Sequence, residues 1–241
     1  MKKLFTLLLL PTLAFAGKLG ENYLGVELGS SDIEFRYSDA SPNKVTTDAK
    51  GFSWEISGNY NIYKSSGKKY AADLLLSYYN GSGKKSATDT DGDKWTTDTE
   101  LSVLTAVVRP YYDFGSFKAF ANLGVINQDI EVDIPTSSSK LNGDSTEFLY
   151  GVGFEVAFGK LSVTPEFSWS KSPDLKTSTE TFKGKDLLTF SIPVSLSYWD
   201  KIDITASYNT IDNDDSPNSS TATTKVKSET SSWGIGIDYK F

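Results

Sequence analysis

The segment FLYGVGFEVAFGKLSVTPEFSW, residues 148–169, determines the fold class of this chain. Every even position from Phe148 to Phe158 is aromatic or apolar, and so is every odd position from Leu161 to Trp169. Because successive side chains of a β-strand point to opposite faces, each half predicts a strand with one apolar face. Only Gly159 and Lys160 separate the halves, which predicts a hairpin with a two-residue turn.

The same period of two recurs along the chain. It is regular in residues 52–62, 188–198, 202–208 and 233–241, and less regular in 23–28, 70–79, 101–112 and 117–126. After residue 17 no long segment keeps a helical period, and none offers 18 consecutive apolar residues. The sequence therefore predicts an all-β chain of about ten antiparallel strands, with eight or twelve as alternatives.

The predicted connections alternate in length. Five polar loops of about 13 to 19 residues are expected near 38–50, 81–98, 129–145, 171–185 and 211–229. Short turns are expected near 64–68, 113–116, 159–160 and 199–201. This order predicts an up-and-down meander with all long loops at one end, which is typical of a transmembrane antiparallel β-barrel of the bacterial outer membrane.

Composition excludes several kinds of site. The chain has no Cys and no His, so His- or Cys-ligated zinc, a disulfide framework and a Ser-His-Asp triad are excluded. Lys and Arg number 24 against 31 Asp and Glu, giving a formal net charge of −7, so nucleic acid is not an expected partner. No cofactor is expected.

The N-terminus has the pattern of a secretory signal peptide. Lys2 and Lys3 precede an apolar run, and Ala14 and Ala16 form a small-x-small cleavage site before Gly17. The alternative, a transmembrane anchor, requires about 20 apolar residues, and this run is shorter. We expect residues 1–16 to be removed on export and residues 17–241 to form the barrel domain.

Aromatic residues are predicted to form two belts on the apolar face. One set lies near the predicted long loops and the other near the short turns, as expected where a barrel meets two membrane interfaces. The alternative is a soluble β-sandwich or lipocalin-like barrel, whose apolar face points inward. The belts, the export signal and a terminal strand favour the membrane barrel. The sets are Trp54, Tyr78, Phe148, Phe167, Trp169, Phe190, Tyr208 and Trp233, and Tyr60, Tyr70, Tyr112, Phe117, Phe158, Tyr198, Tyr239 and Phe241.

The last nine residues resemble the assembly signal of Gram-negative outer-membrane barrel proteins. The segment places hydrophobic residues at alternate positions, namely Trp233, Ile235, Ile237, Tyr239 and Phe241. The resemblance points towards porin-like and opacity-type small barrels. It implies the bacterial outer membrane as location, with outer-membrane lipid, lipopolysaccharide and the barrel-assembly machinery as partners.

The opposite face of the strands is predicted to line a polar, acidic lumen. Arg109 is placed at a height where it could bridge carboxylates in a charge network. The alternative is that these side chains are a hydrated wall without a specific role. The network would comprise Glu27, Asp73, Arg109, Glu155 and Glu166.

We expect a non-enzymatic outer-membrane protein with a structural or surface-interaction role, whose five long loops carry specificity for an unidentified surface ligand. The alternative is a narrow porin-like channel with an acidic lumen. An enzyme using carboxylates, such as Asp212, Asp214 and Asp215, is less favoured, because barrel enzymes of this membrane rely as families on a His-containing arrangement. Asp89, Asp91 and Asp93 resemble the start of a calcium loop, but Gly92 comes too early, so no metal site is predicted.

Overall fold

A computed structural model describes residues 18–38, 44–67, 69–88, 94–134, 139–176, 181–182, 184–217 and 225–241. In this part of the chain all regular elements are β-strands, and no helix is long and apolar enough to cross a membrane. The strands are β1 (Tyr23–Ser38), β2 (Lys44–Lys64), β3 (Tyr70–Thr88), β4 (Lys94–Asp113), β5 (Phe117–Ile134), β6 (Ser139–Phe158), β7 (Leu161–Val163), β8 (Glu166–Lys171), β9 (Leu175–Lys176), β10 (Thr181–Phe182), β11 (Asp186–Trp199), β12 (Ile202–Pro217) and β13 (Lys225–Lys240).

The sheet closes on itself. Each long strand pairs antiparallel with the next, and the last strand, β13, pairs with β1 from Tyr23↔Lys240 to Ser38↔Lys225. The short strands β7 and β8 occupy one position between β6 and β11. The result is a closed antiparallel barrel of ten strands, which confirms the predicted fold class and strand number.

Proline accounts for the break between β7 and β8. Pro165 has no N–H and cannot donate to the ladder. The neighbouring groups still bond across the break: the Phe154 N–H donates to the Pro165 carbonyl at 3.1 Å, and the Thr164 N–H donates to the Pro193 carbonyl at 2.9 Å. The segment 161–169, predicted as one strand, is therefore one strand position with an interruption.

Short turns lie together at one end of the barrel, which we call the turn end. They connect β2 to β3, β4 to β5 (residues 114–116), β6 to β7 (159–160) and β11 to β12 (200–201), close to the predicted positions. Gly115 and Gly159 adopt positive φ angles of 90° and 63°, where a side chain would be strained. The opposite end is called the open end.

The strands extend much further towards the open end than the sequence predicted. The β3–β4 ladder continues to Thr88↔Lys94, and the β5–β6 ladder to Ile134↔Ser139, so most of the loops expected at 81–98 and 129–145 are paired strand. Those predicted loop lengths are wrong. Polar residues without apolar alternation resemble a loop in the sequence, but backbone pairing does not require an apolar face.

Near the turn end the barrel is apolar outside and polar inside. Outward Leu24 and Leu123 are 56% and 58% exposed, whereas inward Asp73 and Arg109 are 0% and 1% exposed. A soluble barrel would show the opposite arrangement, with its apolar residues buried. The arrangement therefore excludes the lipocalin-like alternative.

Towards the open end the outer face becomes acidic, and large apolar residues enter the inner face. On β4 and β5 the inward Leu101 and Ile130 are buried at 1% and 0% exposure, beside the buried polar Thr99 and Gln128. The outward residues become acidic and exposed. They are Asp98, Glu100, Asp129 and Glu131, continued by Asp144 on β6. The same strands thus pass from one surrounding medium into another.

Candidate functional site

A group of buried, hydrogen-bonded polar side chains lies in the lumen near the turn end. The Arg109 Nη2 lies 2.7 Å from the Glu166 Oε2, and both side chains are 1% exposed. Asn122 ties the pair together: its Oδ1 accepts from Arg109 Nε at 2.7 Å, and its Nδ2 donates to the Glu166 Oε2 at 3.2 Å. The guanidinium lies 4.3 Å from the centre of the Phe120 ring. The buried carboxylate therefore has a charged partner and a second donor.

The other predicted members of the charge network have partners of their own. The Glu155 Oε1 accepts a charged hydrogen bond from Lys118 Nζ at 2.9 Å. The Asp73 Oδ1 accepts from Asn61 Nδ2 at 2.7 Å. Lys118 was missed in the sequence, although it shares inward parity with Asn122 on β5. The predicted set is thus distributed over several local groups.

Glu27 belongs to a different part of the lumen. It lies directly opposite Glu55 across the β1–β2 pair, and its Oε1 accepts from the Ser207 hydroxyl at 2.7 Å. Two inward glycines make room for lumen carboxylates. A Cβ at Gly234 would collide with the Glu27 side chain, and one at Gly25 with Asp238. These glycines allow close approach of a side chain, the role that glycine often has within strands.

The C-terminal strand β13 has one face towards the lumen and one face towards the outside of the barrel. Inward-pointing Lys240 places its Nζ 2.8 Å from Asp203 Oδ1, a partly buried ion pair that the sequence did not indicate. The outward residues of the predicted assembly signal are all about half exposed or more; these are Trp233, Ile235, Ile237, Tyr239 and Phe241.

Several predicted features lie outside the described residues. These are the signal segment 1–16 with Ala14 and Ala16, the acidic triplet at 89–93, and the side chains of Asp212, Asp214 and Asp215. Within the described part of the chain, no group of three or more Asp or Glu side chains is arranged to hold a metal ion.

The segment before β1 is the largest feature that sequence reasoning missed. Lys18 to Asn22 lies across the turn end, and Leu19 is buried against Ala71, Tyr111 and Phe120 inside the barrel. A five-residue segment has no periodicity, so only its long-range contacts reveal it.

A closed barrel with an apolar outer wall and a polar lumen is the architecture of an integral membrane β-barrel. Residues 4–198 match the outer membrane protein beta-barrel domain family, and the chain belongs to that family. It is a protein of the bacterial outer membrane. In barrels of this membrane the short turns are periplasmic, and the turn end has this form.

Individual known proteins show more distant similarity. A protein of Rickettsia conorii named "Putative adhesin RC1281" is 26% identical over 189 residues, covering 68% of this chain and 74% of the relative. The transport unit of the autotransporter AIDA-I from Escherichia coli has a TM-score of 0.58 at 13% identity, covering 97% of this chain and 94% of that one. The outer membrane protease OmpT from Escherichia coli also has a TM-score of 0.58, at 9% identity, covering 95% and 99%. Both structural matches concern the fold alone.

The two predicted aromatic belts are present on the outer wall. At the turn end, Tyr70 packs against Tyr112 with ring centres 4.6 Å apart, and Phe114 stacks on Phe117 at 4.6 Å. Further along the wall the ring pairs are Trp54 with Tyr78, Tyr150 with Trp169, and Phe167 with Phe190. Aromatic residues favour the two headgroup regions, so these belts mark the membrane-embedded height.

Proposed function

We propose that this chain is a non-enzymatic surface-interaction protein, which uses the open end of the barrel to attach the bacterium to another surface. The observation that carries the proposal is the length of the strands. β4 has 20 residues, which reach about 45 Å at a tilt of about 45°, against a hydrocarbon core of about 30 Å. Because the turn end has only short turns, the excess projects outward from the cell.

The chemistry of the projecting part supports contact with an aqueous partner. Exposed carboxylates cover the outer face of β4 to β6 at the open end, whereas a lipid-facing wall would exclude them. Below this height the buried Arg109–Glu166 pair occupies the lumen, which disfavours general diffusion through the barrel. The relative from Rickettsia conorii that bears the name of an adhesin is consistent with an attachment role.

Bacterial attachment tests the proposal directly. A non-adherent Gram-negative strain would express the full chain or a variant in which 85–97 and 133–140 are each replaced by Asn-Gly turns. These cuts retain the paired ends Lys84↔Asp98 and Val132↔Leu141, so the membrane wall keeps its register. We expect the full chain to raise binding to cultured epithelial cells about tenfold over vector, and the trimmed variant to lose the gain.

Gly67→Ser in a periplasmic turn is the matched control, since a side chain there meets nothing within 4 Å. It should attach as the parent does. Full-length protein that is folded at the surface but binds cells no better than vector would contradict the attachment role.

The absence of enzymatic activity is part of the same proposal. The chain has no His or Cys, so carboxylates are the side chains that remain for acid–base catalysis near neutral pH. Their ordinary pKa values lie below neutrality. Purified folded protein should show no turnover of lipopolysaccharide, phospholipid or peptide. Steady turnover that scales with protein concentration and survives further purification would refute this part.

The second candidate is the narrow porin-like channel with an acidic lumen. It is favoured by inward carboxylates such as Glu27 and Glu55, which face each other across two strands. Planar-bilayer recordings separate the candidates, because discrete cation-selective steps from the parent protein would favour the channel.

A further inference from the structure

The segment Lys18–Asn22 spans the periplasmic mouth of the barrel from one wall to the other. At its C-terminal side, the Asn61 N–H donates to the Asn22 Oδ1 at 2.8 Å, which attaches the segment to β2. At its N-terminal side, Lys18 Nζ donates to the Ser197 hydroxyl at 2.6 Å, which attaches it to β11. We call these five residues the strap.

Groups of the lumen bind the strap backbone at consecutive positions. The Leu19 N–H donates to Glu155 Oε2 and the Gly20 N–H to Asp73 Oδ2, each at 2.8 Å. Lys118 Nζ donates to the Leu19 carbonyl at 2.7 Å. Two carboxylates and one ammonium thus pair with consecutive donors and an acceptor of a tight turn, in which the Glu21 N–H donates to the Lys18 carbonyl at 3.3 Å. Charged hydrogen bonds of this kind are stronger than neutral ones.

Side chains give the strap sequence specificity. Leu19 is 4% exposed and fills an apolar cluster with Ala71, Tyr111 and Phe120. Gly20 has a φ of 83°, and a Cβ there would collide with the Tyr111 hydroxyl. The site therefore accepts an apolar residue followed by glycine, and other residues at the second position would be strained.

We propose that the periplasmic end of the lumen is a peptide-binding site for an apolar-glycine segment, and that the strap occupies it in cis and closes the mouth to small solutes. The proposal rests on the barrel and its membrane orientation, and it does not depend on the attachment role. Three of the predicted network residues contribute to this site. Glu155 and Asp73 accept hydrogen bonds from the strap backbone, and the Arg109 guanidinium packs on the ring of Phe120, which contacts Leu19.

Thiol labelling tests the closure, because the chain has no native cysteine. Ala71→Cys places a thiol beneath Leu19, and purified folded barrel in detergent would be treated with a small charged maleimide. Labelling should be slow with the intact strap and at least about tenfold faster when Leu19→Asp or Gly20→Val is added, since each removes a determinant of binding. Gly67→Cys in an exposed turn should label equally fast in every background.

A free peptide tests recognition in the same assay. Acetyl-Lys-Leu-Gly-Glu-Asn-amide at a few millimolar, about the effective concentration of a tethered segment, should slow labelling of the opened variants several-fold. Acetyl-Lys-Leu-Val-Glu-Asn-amide should not. The proposal is overturned if Ala71→Cys labels rapidly with the intact strap, or if the glycine peptide protects the opened variants no better than the valine peptide.

Discussion

The two halves of strands β4 and β5 have the same backbone geometry and opposite polarity on the outer face. Near the turn end, Val108 and Leu123 face outward while Arg109 and Asn122 are buried inside. Near the open end, Glu100 faces outward and Leu101 is buried inside. Alternation fixes which residues share a face, whereas the medium outside each height determines which face is apolar.

The change from apolar to acidic residues on the outer face marks where the lipid ends. Outward Leu104 is the last large apolar side chain of β4 before Ser102 and Glu100, so the boundary lies between these positions. Below it the lumen must solvate its own charges, and above it the interior combines apolar Leu101 and Ile130 with polar Thr99 and Gln128.

The largest effect is expected inside the lower half. Arg109→Ala leaves Glu166 buried without its charged partner and should lower the free energy of unfolding by about 3 to 5 kcal/mol. Chemical denaturation of the barrel folded in lipid vesicles measures this. Arg109→Met combined with Glu166→Gln should regain most of the loss, because no unpaired charge then remains. If Arg109→Ala is as stable as the parent, Arg109 and Glu166 are only part of a hydrated lumen wall.

An intermediate effect is expected on the outer wall. Leu123 lies roughly 15 Å from the turn end, near the bilayer centre, so Leu123→Arg should cost about 2 to 4 kcal/mol. Asp129→Arg is the matched control, because it changes the same face of the same strand above the boundary and should cost little. Equal costs at both positions in vesicle titrations would contradict the placement of the membrane edge.

The smallest effect is expected at the open end. Asp129 and Asp144 face each other directly across β5 and β6 on the exposed face. Asp144→Asn should therefore stabilise the barrel by about 0.2 to 1 kcal/mol at low salt, because like charges in this position repel. Half-molar salt should remove the gain by screening. Thr146→Asn, two positions along the same face, serves as control. It replaces the hydroxyl that accepts from Asn127 Nδ2 at 2.9 Å and changes no charge, so its effect should be the same at both salt concentrations.

The strands and hairpins could be predicted from the sequence where a residue pattern is compatible with only one kind of local structure. Alternation from Phe148 to Phe158 and the Gly159-Lys160 pair gave a hairpin with the observed turn, and repetition of the pattern gave ten strands. Prediction from the sequence failed at the open end, where acidic residues that pair as strands resemble loops. It also missed the strap, because Leu19 and Gly20 show their role only through partners far away in sequence.

By itself the sequence determined the all-β class and the two faces of each regular strand, because these follow from local period and turn chemistry, and it left eight, ten or twelve strands open. Only the tertiary structure decided which lumen side chains meet. Barrel closure brings Arg109 to Glu166, 57 residues away, and Leu19 to Glu155, 136 residues away. Register and closure set these distances, and neither is encoded in the pattern of any one strand.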